Sequence, residues 1–160
     1  MSVKVGIVMG SASDRPVMEH AASVLKELGV ESEMKVLSAH RTPDALREWA
    51  AGLEARGIKV VIAGAGAAAH LAGAVAAHTM LPVIGVPLAS ANAVSGGLDA
   101  LLSTVQMPRG IPVATVAVGE PGAANAGILA AQILATGDEE LGKRVRAHRT
   151  AMTAKILASS

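Results

Sequence analysis

The chain has no cysteine, no phenylalanine and no tyrosine, and its one tryptophan is Trp49. Without cysteine there is no disulfide, no thiolate nucleophile and no cysteine-type zinc site. This composition fits a cytoplasmic protein. The missing aromatics remove the stacking platforms that single-stranded nucleic acid needs. A net charge of +1 leaves too little basic excess to track a phosphate backbone. We therefore expect no nucleic-acid partner. Charge is also missing locally, since no Asp, Glu, Lys or Arg occurs from Val60 to Leu98. A window of about 19 residues there would score as a membrane span. However, His70, His78, Pro82, Pro87, Asn92 and many glycines break that stretch, so it reads as strand, loop, helix and strand buried on both faces. No membrane span is expected. Residues Met1–Met9 hold Lys4 inside a β-like run and lack the separate basic and long apolar regions of a secretory signal.

What remains is apolar and small-sided. Hydrophobic residues make up 51% of 160 residues, enough to core one domain over 1–160. Val, Ala, Leu and Ile must fill that core, and such side chains let elements approach closely. Strand-like runs at Val3–Met9, Met34–Leu37, Val60–Ala63, Pro82–Val86 and Val113–Val118 alternate with helical stretches. The helices follow Pro16, Pro43, Ala67, about Leu98, Ala123 and Asp138. The alternation predicts a three-layer α/β/α domain on a central parallel sheet, flavodoxin-like or Rossmann-like. The last helix, about 138–157, carries a narrow stripe of Leu141, Val145, Met152 and Ile156. Its flanks hold five of the 14 basic residues. Such a stripe suits helix packing, within the subunit or onto a neighbouring one, and we favour the neighbour.

Three turns bear chemistry. Ser38-Ala39-His40-Arg41-Thr42-Pro43 joins a strand to a helix, with Thr42 expected as N-cap and Pro43 in the first turn. In open parallel sheets, ligands bind at the carboxyl ends of strands. A proton-transfer residue beside a fixed cation there suggests a site. Alone, the pair fits a loop histidine and a solvated arginine equally well. Gly10-Ser11-Ala12-Ser13-Asp14 also follows a strand and opens a helix. Its amides and hydroxyls suit a phosphate, and the Asp14 carboxylate suits a ribose diol. Simple helix capping by Ser13 or Asp14 explains the same residues. Gly64-Ala65-Gly66-Ala67-Ala68-Ala69 matches G-x-G-x-x-A. The acidic partner expected about 20 residues beyond that motif is absent, which argues against a dinucleotide. The loop then reads as close backbone approach to a smaller ligand. His70, expected just inside the following helix, either reaches that ligand or packs at a subunit contact. His70 and His78 are too far apart for an i, i+4 metal pair, so neither a metal nor another cofactor is expected.

Together these three stretches, continued through Ala69-His70-Leu71, resemble the PurE family of purine biosynthesis. Gln106-Met107-Pro108-Arg109-Gly110-Ile111-Pro112-Val113 and Gly122-Ala123-Ala124-Asn125-Ala126 extend the likeness to nearly the whole chain. One branch of that family moves a carboxylate from the exocyclic nitrogen of 5-(carboxyamino)imidazole ribonucleotide to ring carbon 4. The other carboxylates aminoimidazole ribonucleotide directly. The intact surroundings of Arg41 and His70 resemble the first branch. One departure is Ala72, where many members carry proline. The resemblance implies His40 as the acid and base, and Ser11, Asp14 and Arg41 as ribonucleotide-binding residues. Gly10, Ser13, Ser38, Gly66, Ala67, His70 and Leu71 are expected around the same ligand. An imidazole titrates near pH ~6.5, so one ring can protonate the carbamate nitrogen and later remove the carbon-4 proton. Carbon dioxide, the expected intermediate, must stay trapped beside the ring, and the alanines at 67–69 would line such a pocket. The resemblance also implies a homo-octamer.

Overall fold

The computed structural model describes residues 2–159. Five strands form one sheet: β1 (Val5–Met9), β2 (Ser32–Val36), β3 (Val60–Gly66), β4 (Val83–Leu88) and β5 (Ala114–Thr115). Their order is β2-β1-β3-β4-β5, and every pairing is parallel. This is the flavodoxin-like arrangement, in which the chain leaves β1 toward one edge and returns on its other side as β3. Among the described residues, six α-helices connect the strands or follow them: α1 (Arg15–Glu27), α2 (Pro43–Ala51), α3 (Leu71–Ala76), α4 (Leu98–Val105), α5 (Glu120–Ala135) and α6 (Glu139–Leu157).

The central strands are buried on both faces, as their unbroken apolar runs require. Val5, Ile7, Met9, Ile62 and Val86 face a layer built by α1 and α5, with Met18, Ala21, Leu25, Ala126 and Ala130. Val8, Val61 and Ala63 face the opposite layer, with Leu46, Trp49 and Leu53 from the α2 region and Leu71, Ala72 and Val75 from α3. Small residues set these distances. A Cβ on Gly127 of α5 would lie 2.7 Å from the Ala21 carbonyl of α1, so the two helices touch backbone to backbone. A Cβ on Gly64 would collide with the Met18 side chain. The apolar stretch after Val60 is thus a double-faced core, and no helix among the described residues is long and apolar enough to cross a membrane.

Several boundaries differ from expectation, each for a local reason. The third strand runs to Gly66, because Gly64, Ala65 and Gly66 pair with Val86, Pro87 and Leu88 of β4. The G-x-G motif therefore ends a strand rather than forming a loop, and Gly64 serves core packing. The helix expected from Ala67 starts only at Leu71 and ends at Ala76. Before it, the Ala69 and His70 amides bond back two residues to Ala67 and Ala68, both at 2.8 Å, with Ala67 at φ +52°. β5 keeps only two residues of the run Val113–Val118. Pro16 does sit in the first turn of α1, and Asp138 does cap α6, accepting from the Leu141 amide at 2.9 Å. Ala72 is the second residue of α3, in the first turn, where a proline is tolerated because that amide has no helical acceptor.

Candidate active site

The carboxyl ends of β1, β2, β3 and β4 converge on one cavity of about 380 Å³. Its wall takes Gly10, Ser11, Ser13 and Asp14 from the β1 end. Ser38, Ala39, His40 and Arg41 come from the β2 end, and Ala65 to Ala68 with Leu71 from the β3 end. Ser90 closes the side beyond β4. The site thus straddles β1 and β3, where the strand order reverses and neighbouring loops part to leave a crevice.

The β1 loop is built as a capping box. Ser11 Oγ accepts from the Ser13 amide at 3.3 Å, and Asp14 Oδ2 accepts from the Ser11 amide at 3.0 Å. Ser11, rather than Ser13 or Asp14, is therefore the side-chain cap, and it caps a short 3-10 turn ahead of α1. Burial pushes the Asp14 carboxyl above its usual 3.8, although the Ser11 amide and the Arg41 charge pull the other way. A raised carboxyl favours folding while it is protonated. That contribution is complete below pH 3.8 and is lost as pH rises through the higher folded value. Asp14→Asn, uncharged throughout, is thus expected to gain thermal stability relative to the parent as pH rises from about 4 toward neutrality. Melts at stepped pH measure this, and a pH-independent difference would contradict it.

The β2 turn is closed by Thr42 in an unexpected way. Its side chain makes no helix cap. The hydroxyl instead accepts from the Ser38 amide at 2.9 Å and lies 3.1 Å from the Ser38 carbonyl, to which it donates. Ser38 Oγ in turn accepts from the Arg41 amide at 3.1 Å and from Arg41 Nε at 3.3 Å. The Arg41 guanidinium then crosses to β1 and donates to the Gly10 carbonyl at 2.7 Å. A fixed cation is thereby held on the same cavity wall as Ser11 and Ser13. On the same turn, His40 Nε2 lies 2.9 Å from Nδ1 of His70. The two rings meet edge to face, with centroids 5.0 Å apart.

Of the residues singled out in the sequence, Gly10, Ser11, Ser13, Asp14, Ser38, His40, Arg41, Gly66, Ala67 and Leu71 all line this cavity. His70 stands just behind the wall, at the N-terminal position of α3 with no side-chain cap bond, and its ring meets that of His40. Of the alanines expected at 67–69, Ala67 and Ala68 line the cavity while Ala69 is buried behind it; Ala39, Ala65 and Ser90 are wall residues that the sequence reading does not single out. The rule that ligands gather at strand ends was available for Ser90, the second residue past β4. Arg109 and the stretch around it lie away from the cavity, with Met107 near Gly73 of α3.

An open parallel sheet with hydroxyls, a fixed cation and an imidazole at its switch point is the arrangement of an α/β enzyme. Residues 4–155 match the family model described as AIR carboxylase, and the chain belongs to that family. It is 59% identical over 157 residues to an N5-carboxyaminoimidazole ribonucleotide mutase of Vibrio vulnificus, covering 98% of this chain and 96% of that one. It is 54% identical to the protein of the same name from Bacillus subtilis, covering 100% and 98%. It also superimposes on a crystal structure of Treponema denticola PurE2-S38D with a TM-score of 0.88, at 31% identity, covering 99% of this chain and 96% of that one.

Proposed function

We propose that this chain converts 5-(carboxyamino)imidazole ribonucleotide to 4-carboxy-5-aminoimidazole ribonucleotide in purine biosynthesis. The observation that carries the reading is one cavity whose wall holds both the Arg41 cation and the His40 imidazole. A cation with two hydroxyls suits the phosphate, and the half-buried Asp14 carboxylate suits the ribose hydroxyls. On this reading the imidazole ring of the substrate lies toward His40 and the alanines of the β3 loop.

His40 as imidazolium gives its proton to the exocyclic nitrogen. The carbon–nitrogen bond breaks, and its electron pair stays on nitrogen as carbon dioxide leaves. Carbon 4 of the electron-rich ring attacks the trapped carbon dioxide. Neutral His40 then takes the carbon-4 proton, and the carbon–hydrogen pair restores the aromatic ring. One proton has moved from carbon to nitrogen and His40 ends as it began. The small-sided wall of Ala65, Gly66, Ala67 and Ala68 leaves room for carbon dioxide, with the Ser90 hydroxyl at its border beside Gly66. Holding the fragments together replaces a bimolecular recapture, worth up to about 7–11 kcal/mol. No metal or organic cofactor takes part in this scheme.

A paired ultraviolet assay tests it. The N-carboxylated ribonucleotide at low bicarbonate should give product quickly. Aminoimidazole ribonucleotide with high bicarbonate should give little. The reverse preference would identify the direct carboxylase instead.

The chain also acts as a homo-octamer in the cytoplasm on this reading. Apolar side chains lie exposed in separate places, with Met80 92% exposed beyond α3, Leu102 52% on α4 and Met152 49% on α6. The α6 stripe splits, since Leu141 is buried and Val145 packs on the α1–α5 layer, while Met152 stays exposed. The second half of α6 therefore suits a neighbouring subunit. Light scattering at micromolar concentration is expected to return eight times the chain mass, and a monomer would overturn this.

A further inference from the structure

We infer that His70 is a positioning residue for the reaction, acting as a hydrogen-bond acceptor that fixes which nitrogen of His40 faces the substrate. The inference rests on the role given to His40 above. Three observations carry it. His40 Nε2 lies 2.9 Å from His70 Nδ1, and this is the contact that ties the His40 ring to another element. His40 forms part of the cavity wall, so the ring nitrogen not engaged by His70 is the one available to a ligand there. His70 itself is firmly held. Its amide donates to the Ala68 carbonyl at 2.8 Å, its carbonyl accepts from the Ala74 amide at 2.9 Å, and it stands at the start of α3.

The consequence follows from imidazole chemistry. With Nε2 committed to His70, Nδ1 is the nitrogen left for the substrate. To act as a base there, neutral His40 must carry its hydrogen on Nε2 and donate it to His70 Nδ1. His70 then holds its own hydrogen on Nε2. When Nδ1 of His40 takes the carbon-4 proton, His70 stays neutral and its Nδ1 accepts from the imidazolium. When Nδ1 returns a proton to nitrogen, the Nε2–H bond to His70 is unchanged. One acceptor thus serves both half-reactions without itself gaining or losing a proton. Arg41, the nearest fixed charge on the same turn, is committed to Ser38 and Gly10 and does not compete for this edge.

The test compares His70→Leu with His70→Asn. Asparagine can place Oδ1 close to the position of the lost Nδ1 and so keeps an acceptor. His70→Leu is expected to lower kcat at least ~10-fold with KM nearly unchanged, and His70→Asn to recover most of the loss. In parallel, nitrogen-15 spectra of the ligand-free protein, with His40 assigned by its loss in His40→Asn, should show neutral His40 protonated at Nε2. That preference should disappear in His70→Leu and persist in His70→Asn. A raised KM with normal kcat would make His70 a substrate contact and overturn the inference. Equal defects in both variants, or an Nδ1-protonated His40 in the parent, would also overturn it. The spectra need no turnover, so an inactive parent would defeat the mutase reading while leaving the tautomer result to stand or fall alone.

Discussion

His40→Asn is expected to bind the ribonucleotide as the parent does and to turn it over at least ~100-fold more slowly. The asparagine keeps a polar group of similar reach on the same turn. That turn is held by Thr42 and Ser38 rather than by the His40 ring, so its backbone should persist. What is lost is the one imidazole on the cavity wall, a ring that can both give and take a proton. Asp14 sits across the cavity beside Ser11, and Arg41 does not release a proton. Binding measured by calorimetry and turnover by the ultraviolet assay should therefore separate. Turnover at the parent rate would remove His40 from the mechanism.

Arg41→Ala is expected to weaken the ribonucleotide by roughly 10- to 150-fold, from a charge-assisted contact of about 1.5–3 kcal/mol. The corresponding nucleoside, lacking the phosphate, should lose little. The guanidinium is already fixed by the Gly10 carbonyl and Ser38 Oγ, so the parent spends little ordering it on binding. Removing it also unties the β1 loop from the β2 turn, so a small common loss for both ligands is expected. Equal large losses for nucleotide and nucleoside would show that Arg41 acts only as this tie.

Much of this was legible in the sequence because the relevant signals are local. A strand followed by a turn and a proline-marked helix start shows where Ser38–Arg41 and Gly10–Asp14 lie, and the strand-end rule brings them together. The less legible parts depend on contacts distant in sequence. Gly64 and Gly66 read as loop glycines because their pairing with Val86 and Leu88 cannot be seen from composition. Nothing in the chain order announces that the His70 ring meets His40, 30 residues earlier. Thr42 fits the N-cap pattern in sequence, and only the folded turn shows its hydroxyl spent on Ser38. Ser90 carried no motif of its own, and its place on the wall comes from the strand before it.

The same scarcity of aromatics provides a built-in optical reporter. Trp49 is the sole indole and there is no tyrosine, so all near-ultraviolet emission of the chain arises from one ring. That ring is 9% exposed and packs with Val8, Leu46 and Leu53 beneath the sheet, and its Nε1 donates to Glu33 of β2 at 2.9 Å. Glu33 also pairs with Arg56 at 3.0 Å. A shift in emission therefore reports whether β2 and α2 remain clasped, which are the two elements that flank the His40 turn. No residue of α2 lines the cavity, so substrate filling it is expected to leave the emission nearly constant. Unfolding can thus be followed at one wavelength and catalysis at another, in the same cuvette, with little mutual interference.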